Sequence, residues 1–263
     1  IWSSLTADGS CWFESVFDLP NIRLANATFQ SEQEDSNGFI AETLLGLLRE
    51  ARKLNQNFLN NHQGIHIKTH LTFPRDWGLG SSSTLINNIA QWAQVDPFTL
   101  LWNAFSGSGY DIACAMNDTP ILYRLENKKP IVDPWDFDPS FKDQLFFVHL
   151  NQKQNSREGI QRYREHNVSK EQLDRVSDLT CQMVKAKGLP EFDFLIKEHE
   201  ELISSIIELQ PVKDKLFPDY FGEVKSLGAW GGDFVLATGD ARSPEYFQKK
   251  GYSTVLCYSE MAL

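Results

Sequence analysis

Apolar and polar residues along this 263-residue chain recur with periods that name most of its elements. Ile1 to Phe17 alternates in two runs around Ala7-Asp8-Gly9-Ser10, and the Asp-Gly pair predicts a hairpin. A polar loop is expected next. Ile40, Leu44, Leu45, Leu47, Leu48 and Ala51 then return at helical spacing, predicting a core helix over Phe39 to Leu54 with Asp35 and Ser36 available as caps. Gly64 to Phe73 alternates strictly, with Ile65, Ile67, Leu71 and Phe73 opposite His66, Lys68 and His70, and predicts a strand. His62, His66 and His70 invite a metal reading. The alternation places the last two on a solvated face and no cysteine or carboxylate accompanies them, so no metal is assigned to them.

That strand leads into Pro74-Arg-Asp-Trp-Gly-Leu-Gly-Ser-Ser-Ser-Thr-Leu85, where two glycines and three serines separate it from a helical pattern. Glycine lets the backbone turn and approach a ligand, and the free N–H groups of a helix start attract an anion, which outlines a phosphate cradle. The loop is not a Walker A loop, because Ser81 and Ser82 follow Gly80 where a Lys-Ser/Thr pair is required. An ordinary capped helix after a glycine turn gives the same pattern, so the loop alone leaves both readings open. The helix continues through Leu85, Ile89, Ala90, Trp92 and Ala93, and Asp96-Pro97 opens another that runs to Ala104. A second glycine-serine turn follows, Phe105-Ser-Gly-Ser-Gly-Tyr-Asp-Ile-Ala-Cys-Ala-Met116, with Asp111 at its exit. An aspartate in that position ordinarily bonds its own backbone. Ile121 to Leu125 predicts a strand, and Pro130 to Pro139 is taken as a polar connection and domain boundary, giving domains 1–139 and 140–263.

The second half is expected to open with a buried strand at Leu145 to Leu150, then a helix through His166. Two long amphipathic helices follow, Lys170 to Lys187 behind Ser169 and ended by Gly188, and Glu191 to Leu209 behind Pro190. After Val224-Lys-Ser-Leu-Gly-Ala-Trp-Gly-Gly-Asp233 come a strand at Phe234 to Thr238, a short helix from Ser243-Pro244 to Gly251, and a closing strand at Thr254 to Tyr258. Strands and helices in this order point to an α+β fold.

A net charge of -10 argues against nucleic acid as a partner, since that binding leans on Lys and Arg facing phosphates. Cys11, Cys114, Cys181 and Cys257 are widely spaced, so neither a disulfide framework nor a zinc knuckle is expected and a reducing cytoplasm is the natural setting. Nothing approaches a transmembrane span, and no membrane partner is expected.

The three glycine-rich turns at residues 78–83, 107–111 and 228–232, in that order and wording, resemble the GHMP kinase superfamily of galactokinase, homoserine kinase, mevalonate kinase and phosphomevalonate kinase. Gly78-Leu-Gly-Ser-Ser82 looks like its nucleotide-phosphate motif. Gly107-Ser-Gly-Tyr-Asp111, with Tyr123-Arg124 further on, is similar to the phosphomevalonate kinase branch, where the motif reads Gly-Ser-Gly-Phe-Asp. Lys225-Ser-Leu-Gly-Ala-Trp-Gly-Gly-Asp233 resembles the C-terminal glycine motif. The resemblance implies a two-domain GHMP kinase-like fold, with an N-terminal ribosomal-protein-S5-like, nucleotide-binding domain and a C-terminal ferredoxin-like α/β sandwich.

By the same resemblance, Trp77, Gly78, Leu79, Gly80, Ser81, Ser82 and Ser83, with Gly228, Ala229 and Gly231, would bind ATP. Ser82 would help hold Mg2+. Asp111 would be the catalytic residue, as general base or as orienter of the acceptor hydroxyl. Ser108, Gly109, Tyr110, Lys225 and Arg157, with Arg75 and the Asn155-Ser156-Arg157 turn as further candidates, would meet an anionic small-molecule acceptor, with mevalonate or phosphomevalonate the expected one. A monomer or homodimer is expected. A diphosphomevalonate decarboxylase and a non-catalytic binding or regulatory protein are the alternatives. The chain departs from the family at Trp230, where glycine is usual, and at Leu100-Leu101, where mevalonate kinases carry a Mg2+ glutamate, which would leave the metal to Ser82, ATP phosphates and water. The family's first motif is absent. Because the chain opens on Ile1 inside an alternating run, roughly forty residues are expected upstream, an exposed hairpin being a poor start to a core.

Overall fold

The structure, a computed structural model, describes residues 1–29, 39–61, 63–152, 156–228, 230 and 232–262. Contacts divide it into two compact units, Ile1–Arg75 with Leu79–Trp135, and Asp76–Gly78 with Asp136–Leu263.

In the first unit the expected hairpin forms from β1 (Trp2–Leu5) and β2 (Cys11–Asp18), closed by Thr6, Asp8 and Ser10 hydroxyl and carboxyl contacts around Gly9. The stretch expected to be a polar loop instead contributes β3 (Arg23–Phe29), paired antiparallel to β2. Its apolar residues do not alternate strictly, Leu24 standing next to Ala25, so the ladder with β2 defines the strand more than its own pattern does. Helix α1 (Phe39–Leu54) buries five of the six apolar positions that predicted it, Ile40 being half-buried and Ala41 buried beside it, while its proposed caps Asp35 and Ser36 lie outside the described residues. The strand expected over Gly64 to Phe73 is confined to β4 (Ile67–His70), which joins β1 in parallel, Trp2 opposite Ile67. The sheet order is β3-β2-β1-β4.

Helices α2 (Ser81–Ala93), α3 (Pro97–Ala104) and α4 (Tyr110–Ala115) follow, with Asp96 capping α3 by accepting from Thr99 N at 2.7 Å. Trp2 and Phe13 from the sheet share one core with Leu44 and Leu48 of α1, Ile89 and Ala90 of α2, Leu100 of α3 and Ile112 of α4. Strand β5 (Ile121–Glu126) pairs with β6 (Lys129–Pro134), so the first part of the expected polar connection is a strand. Asn127 and Lys128 make the turn at φ 51° and 63°, and Lys in place of Gly there removes the usual hairpin signature.

The second unit is built on the sheet β10-β7-β9-β8. In chain order its elements are β7 (Leu145–His149), α5 (Ser156–Glu165), α6 (Lys170–Met183), α7 (Leu189–Ile207), α8 (Val212–Leu216), β8 (Val224–Ser226), β9 (Phe234–Thr238), α9 (Ser243–Lys249), β10 (Val255–Cys257) and α10 (Tyr258–Met261). Val235 and Ala237 of β9 pack with Val148, Phe217 and Phe247, while Leu236 packs with Leu145, Leu179 and Ile196. Both faces of β9 are therefore covered, which explains its unbroken apolar run. Helix α6 begins with a reciprocal capping box, Ser169 accepting from Gln172 N and Gln172 accepting from Ser169 N. It stops at Met183, with a turn at residues 184–185 and irregular chain at 186–187 where helix was expected up to Lys187.

Among the described residues no helix is long and apolar enough to cross a membrane, and the four cysteines are free. Ile196→Ala, at a wholly buried site, should cost about 3 kcal/mol, and Ser169→Ala about 1 kcal/mol, both read from urea unfolding of the full chain. Equal losses would contradict this division between core and cap.

Candidate functional site

The first glycine turn ends in helix α2. Gly80, at φ 69°, is its left-handed N-cap; no side chain caps the helix and its first turn carries no acidic residue. Thr84 N and Oγ1 both donate back to Gly80 O, at 3.0 and 3.2 Å. Ser81 and Ser82 are exposed. Among the described residues no side chain caps the first-turn amides, which leaves the positive end of a 13-residue helix open to an outside anion. That donor set fits a polyphosphate.

Gly78 is held in the second unit. A Cβ there would overlap the Asp233 carboxylate, and φ is 65°, so both space and backbone require glycine. Beside it, Trp77 packs edge-on to Phe234 at 5.3 Å between ring centroids, with His149 at 6.3 Å.

The second turn presents Asp111 from the first turn of α4. Gly109 takes φ 85°, and a Cβ there would come within 3.0 Å of Phe98 and 3.3 Å of the Tyr123 hydroxyl. Tyr123 donates to Ser108 O at 2.6 Å, and Trp102 Nε1 donates to Gly107 O at 3.2 Å. At the other end of α4, buried Asn87 of α2 donates to Ala115 O at 3.0 Å. The outcome is that Asp111 Oδ1 lies 3.9 Å from where a Cβ on Gly80 would be. The start of α2 and Asp111, which the sequence places about thirty residues apart, are neighbours.

Asp111 remains solvent-accessible as a residue, yet the protein crowding its carboxyl raises its pKa, opposed by a weaker hydrogen bond from the Tyr110 hydroxyl. Burial and then the Asp111 charge push the Tyr110 phenol up, and the same two causes raise the Cys114 thiol one turn further on. Ser108 and Tyr110 are exposed.

The remaining candidates fall elsewhere. Lys225, on β8, is turned inward, with Nζ 3.6 Å from Glu200 Oε1 and 3.3 Å from His199 Nδ1 of α7. Burial lowers its pKa, against the pull of Glu200. Arg75 stacks over Trp12, 3.6 Å from the ring centroid. Gly228 and Trp230 take φ 61° and 62°, so Trp230 keeps the left-handed backbone that glycine favours. Ala229, Gly231, His62, Asn155 and the Arg157 side chain lie outside the described residues. Leu100 and Leu101 are core residues, and no carboxylate stands in their place. Three participants escape a reading of the sequence: Asp233 against Gly78, Asn87 at Ala115, and Trp102 at Gly107. Only Asp233 has a visible signal, since it ends a glycine turn as Asp111 does.

No family model matches the chain, and no curated protein matches it. Solved structures do. The mevalonate kinase of Methanococcus jannaschii matches with a TM-score of 0.56 and 14% identity over 97% of this chain and 82% of its own. The L. major mevalonate kinase in complex with R-mevalonate gives 0.53 and 16% over 81% and 74%, and the Lactococcus lactis galactokinase complexed with galactose gives 0.53 and 12% over 95% and 77%. These proteins are members of the GHMP kinase superfamily, and at such identities the likeness shows a shared fold.

Two variants probe the charges. With its pKa raised in the folded state, Asp111 favours folding below the unfolded value of 3.8, and that contribution is lost as pH rises through the folded pKa. Asp111→Asn should therefore match or exceed the parent Tm at neutral pH, the two converging in acid; a lower Tm at pH 7 would contradict it. Lys225→Met strands the Glu200 carboxylate and should cost about 3 kcal/mol, most of it recovered on adding Glu200→Gln, in urea unfolding.

Proposed function

We propose that this chain is a GHMP-type kinase that transfers the γ-phosphoryl group of ATP to a hydroxyl or phosphate of an anionic small metabolite, with mevalonate and phosphomevalonate as the first acceptors to test. The observation that carries this reading is the Asp111 carboxylate standing beside the uncapped start of α2. The likeness in fold to mevalonate kinases and galactokinase supports it.

Phosphoryl transfer asks a protein to position its reactants and to neutralise charge. Bound MgATP supplies the phosphoryl group and, through its metal, part of that neutralisation. The amides from Gly78 to Ser83 would hold the phosphates, and the Ser82 hydroxyl would help hold the metal. Asp111 receives the hydroxyl proton of the acceptor, and its raised pKa makes it a stronger base than an ordinary carboxylate. Ser108, Gly109 and Tyr110 line the acceptor side. In this reading the first unit is the nucleotide-binding domain, S5-like, and the second the C-terminal ferredoxin-like domain. Lys225, engaged with Glu200 and His199, acts on the third loop from behind β8 instead of meeting the acceptor.

The left-handed Trp230 and the apolar Leu100-Leu101 favour a second reading, a protein that keeps the fold and binds nucleotide without turnover. ADP release on mevalonate, phosphomevalonate, diphosphomevalonate, homoserine and galactose separates the two. A kinase turns over one of them, and Asp111→Asn lowers kcat by about 100-fold or more with KM for ATP little changed. The rate should rise with pH through an inflection above the ordinary carboxylate range. Binding of ATP without turnover of any acceptor supports the second reading, and absence of both sinks the first.

A further inference from the structure

The loop that delivers Asp111 has little in its composition to hold it in place. Ser106-Gly-Ser-Gly109 contains two glycines at positive φ, 143° and 85°, and joins α3 to a helix of only six residues. A helix that short does not hold itself together, so the direction of Asp111 is set by what grips the two ends of α4. Asn87 grips the far end through Ala115 O.

We propose that Trp102 and Tyr123 are positioning residues for Asp111, a pair of aromatic donors that clamp the entry loop through the carbonyls of Gly107 and Ser108. The donors arrive from two different elements, α3 and β5. Trp102 is itself braced by Phe98, 5.7 Å away between ring centroids, and Phe98 is also the surface that Gly109 rests on. Tyr123 does two things at once: its oxygen accepts the approach of Gly109 and donates to Ser108 O. An indole and a phenol have few torsions to freeze, so each holds a carbonyl with little loss of side-chain entropy. Both donors end on backbone carbonyls of the loop, so they act on the reaction through the placement of that loop and of Asp111 at its exit.

This inference deepens the kinase reading and rests on it for its catalytic consequence, while the clamp itself is testable without turnover. In the full chain, Trp102→Phe and Tyr123→Phe remove one donor each and keep a ring. Amide hydrogen exchange over residues 108–112 should quicken about tenfold or more in either variant. With a turned-over acceptor, kcat should fall by about 10- to 100-fold while KM for ATP stays within about twofold, since a small misplacement of a reacting group carries losses of that order. Tyr220→Phe in the second unit, which removes a buried phenol bonded to Thr238 O and Ser243, is the control for a merely structural loss. It should lower Tm without changing kcat or exchange at 108–112.

Unchanged exchange at 108–112 in both variants overturns the clamp, as does an equal fall in kcat with Tyr220→Phe. If the parent protein neither binds ATP nor turns over an acceptor, the kinase reading fails separately. The 13C carboxyl titration of Asp111 then decides the clamp: an inflection that moves toward the ordinary carboxylate range in Trp102→Phe and Tyr123→Phe supports it, and one that stays where it is in the parent overturns it.

Discussion

One proximity governs the first unit, that of a carboxylate and a helix start. Asp111 stands beside Gly80 where α2 and α4 meet, and the two helices bury Ile86 and Ala90 of one and Ala113 of the other in the same core. Asn87 adds a directed bond to the end of α4 within that contact. The arrangement is electrostatically incomplete. A positive helix end and a carboxylate attract each other. Yet the crowding that brings them together raises the carboxyl pKa, so desolvation outweighs what the hydrogen bond from Tyr110 returns. A group held against its own preference for water is a common mark of function.

The parts of the fold legible in the sequence are those where one chain segment carries its own reason. Helix α1 has six core positions at helical spacing, α3 has Asp96 and Pro97 at its start, and β9 is an apolar run flanked by glycine turns. What stayed hidden depends on a partner. Strand β3 exists because β2 offers it a ladder, and β6 because β5 does, through an Asn127-Lys128 turn with no glycine to announce it. The same division holds in the candidate site. Gly78, Gly80 and Asp111 stand out by residue type and Tyr123 only as half of a Tyr-Arg pair, whereas Trp102 and Asn87 read as ordinary core residues until their donors are seen aimed at the carbonyls of Gly107 and Ala115.

Lys225 shows what residue type alone leaves out. A lysine just before a glycine loop invites an anion, but β8 alternates Val224 and Ser226 with it, and α7 lies against that strand carrying Glu200 and His199. Few buried cations go unpaired, and this one is engaged by a carboxylate that is itself almost fully buried. The pair ties the strand leading into the third glycine loop to the longest helix of the second unit.

The three glycine turns are consequently not three versions of one device. The first supplies amides and a helix end. The other two each close with an aspartate, and each aspartate stands against a glycine of the first, Asp111 near Gly80 in one unit and Asp233 over Gly78 in the other. Gly78 is the stricter of the two, because a side chain there would collide with a carboxylate; at Gly80 there is room and only the left-handed backbone objects. Space left open beside Gly80 and closed beside Gly78 is what a loop needs if one end is to be anchored and the other is to receive a ligand.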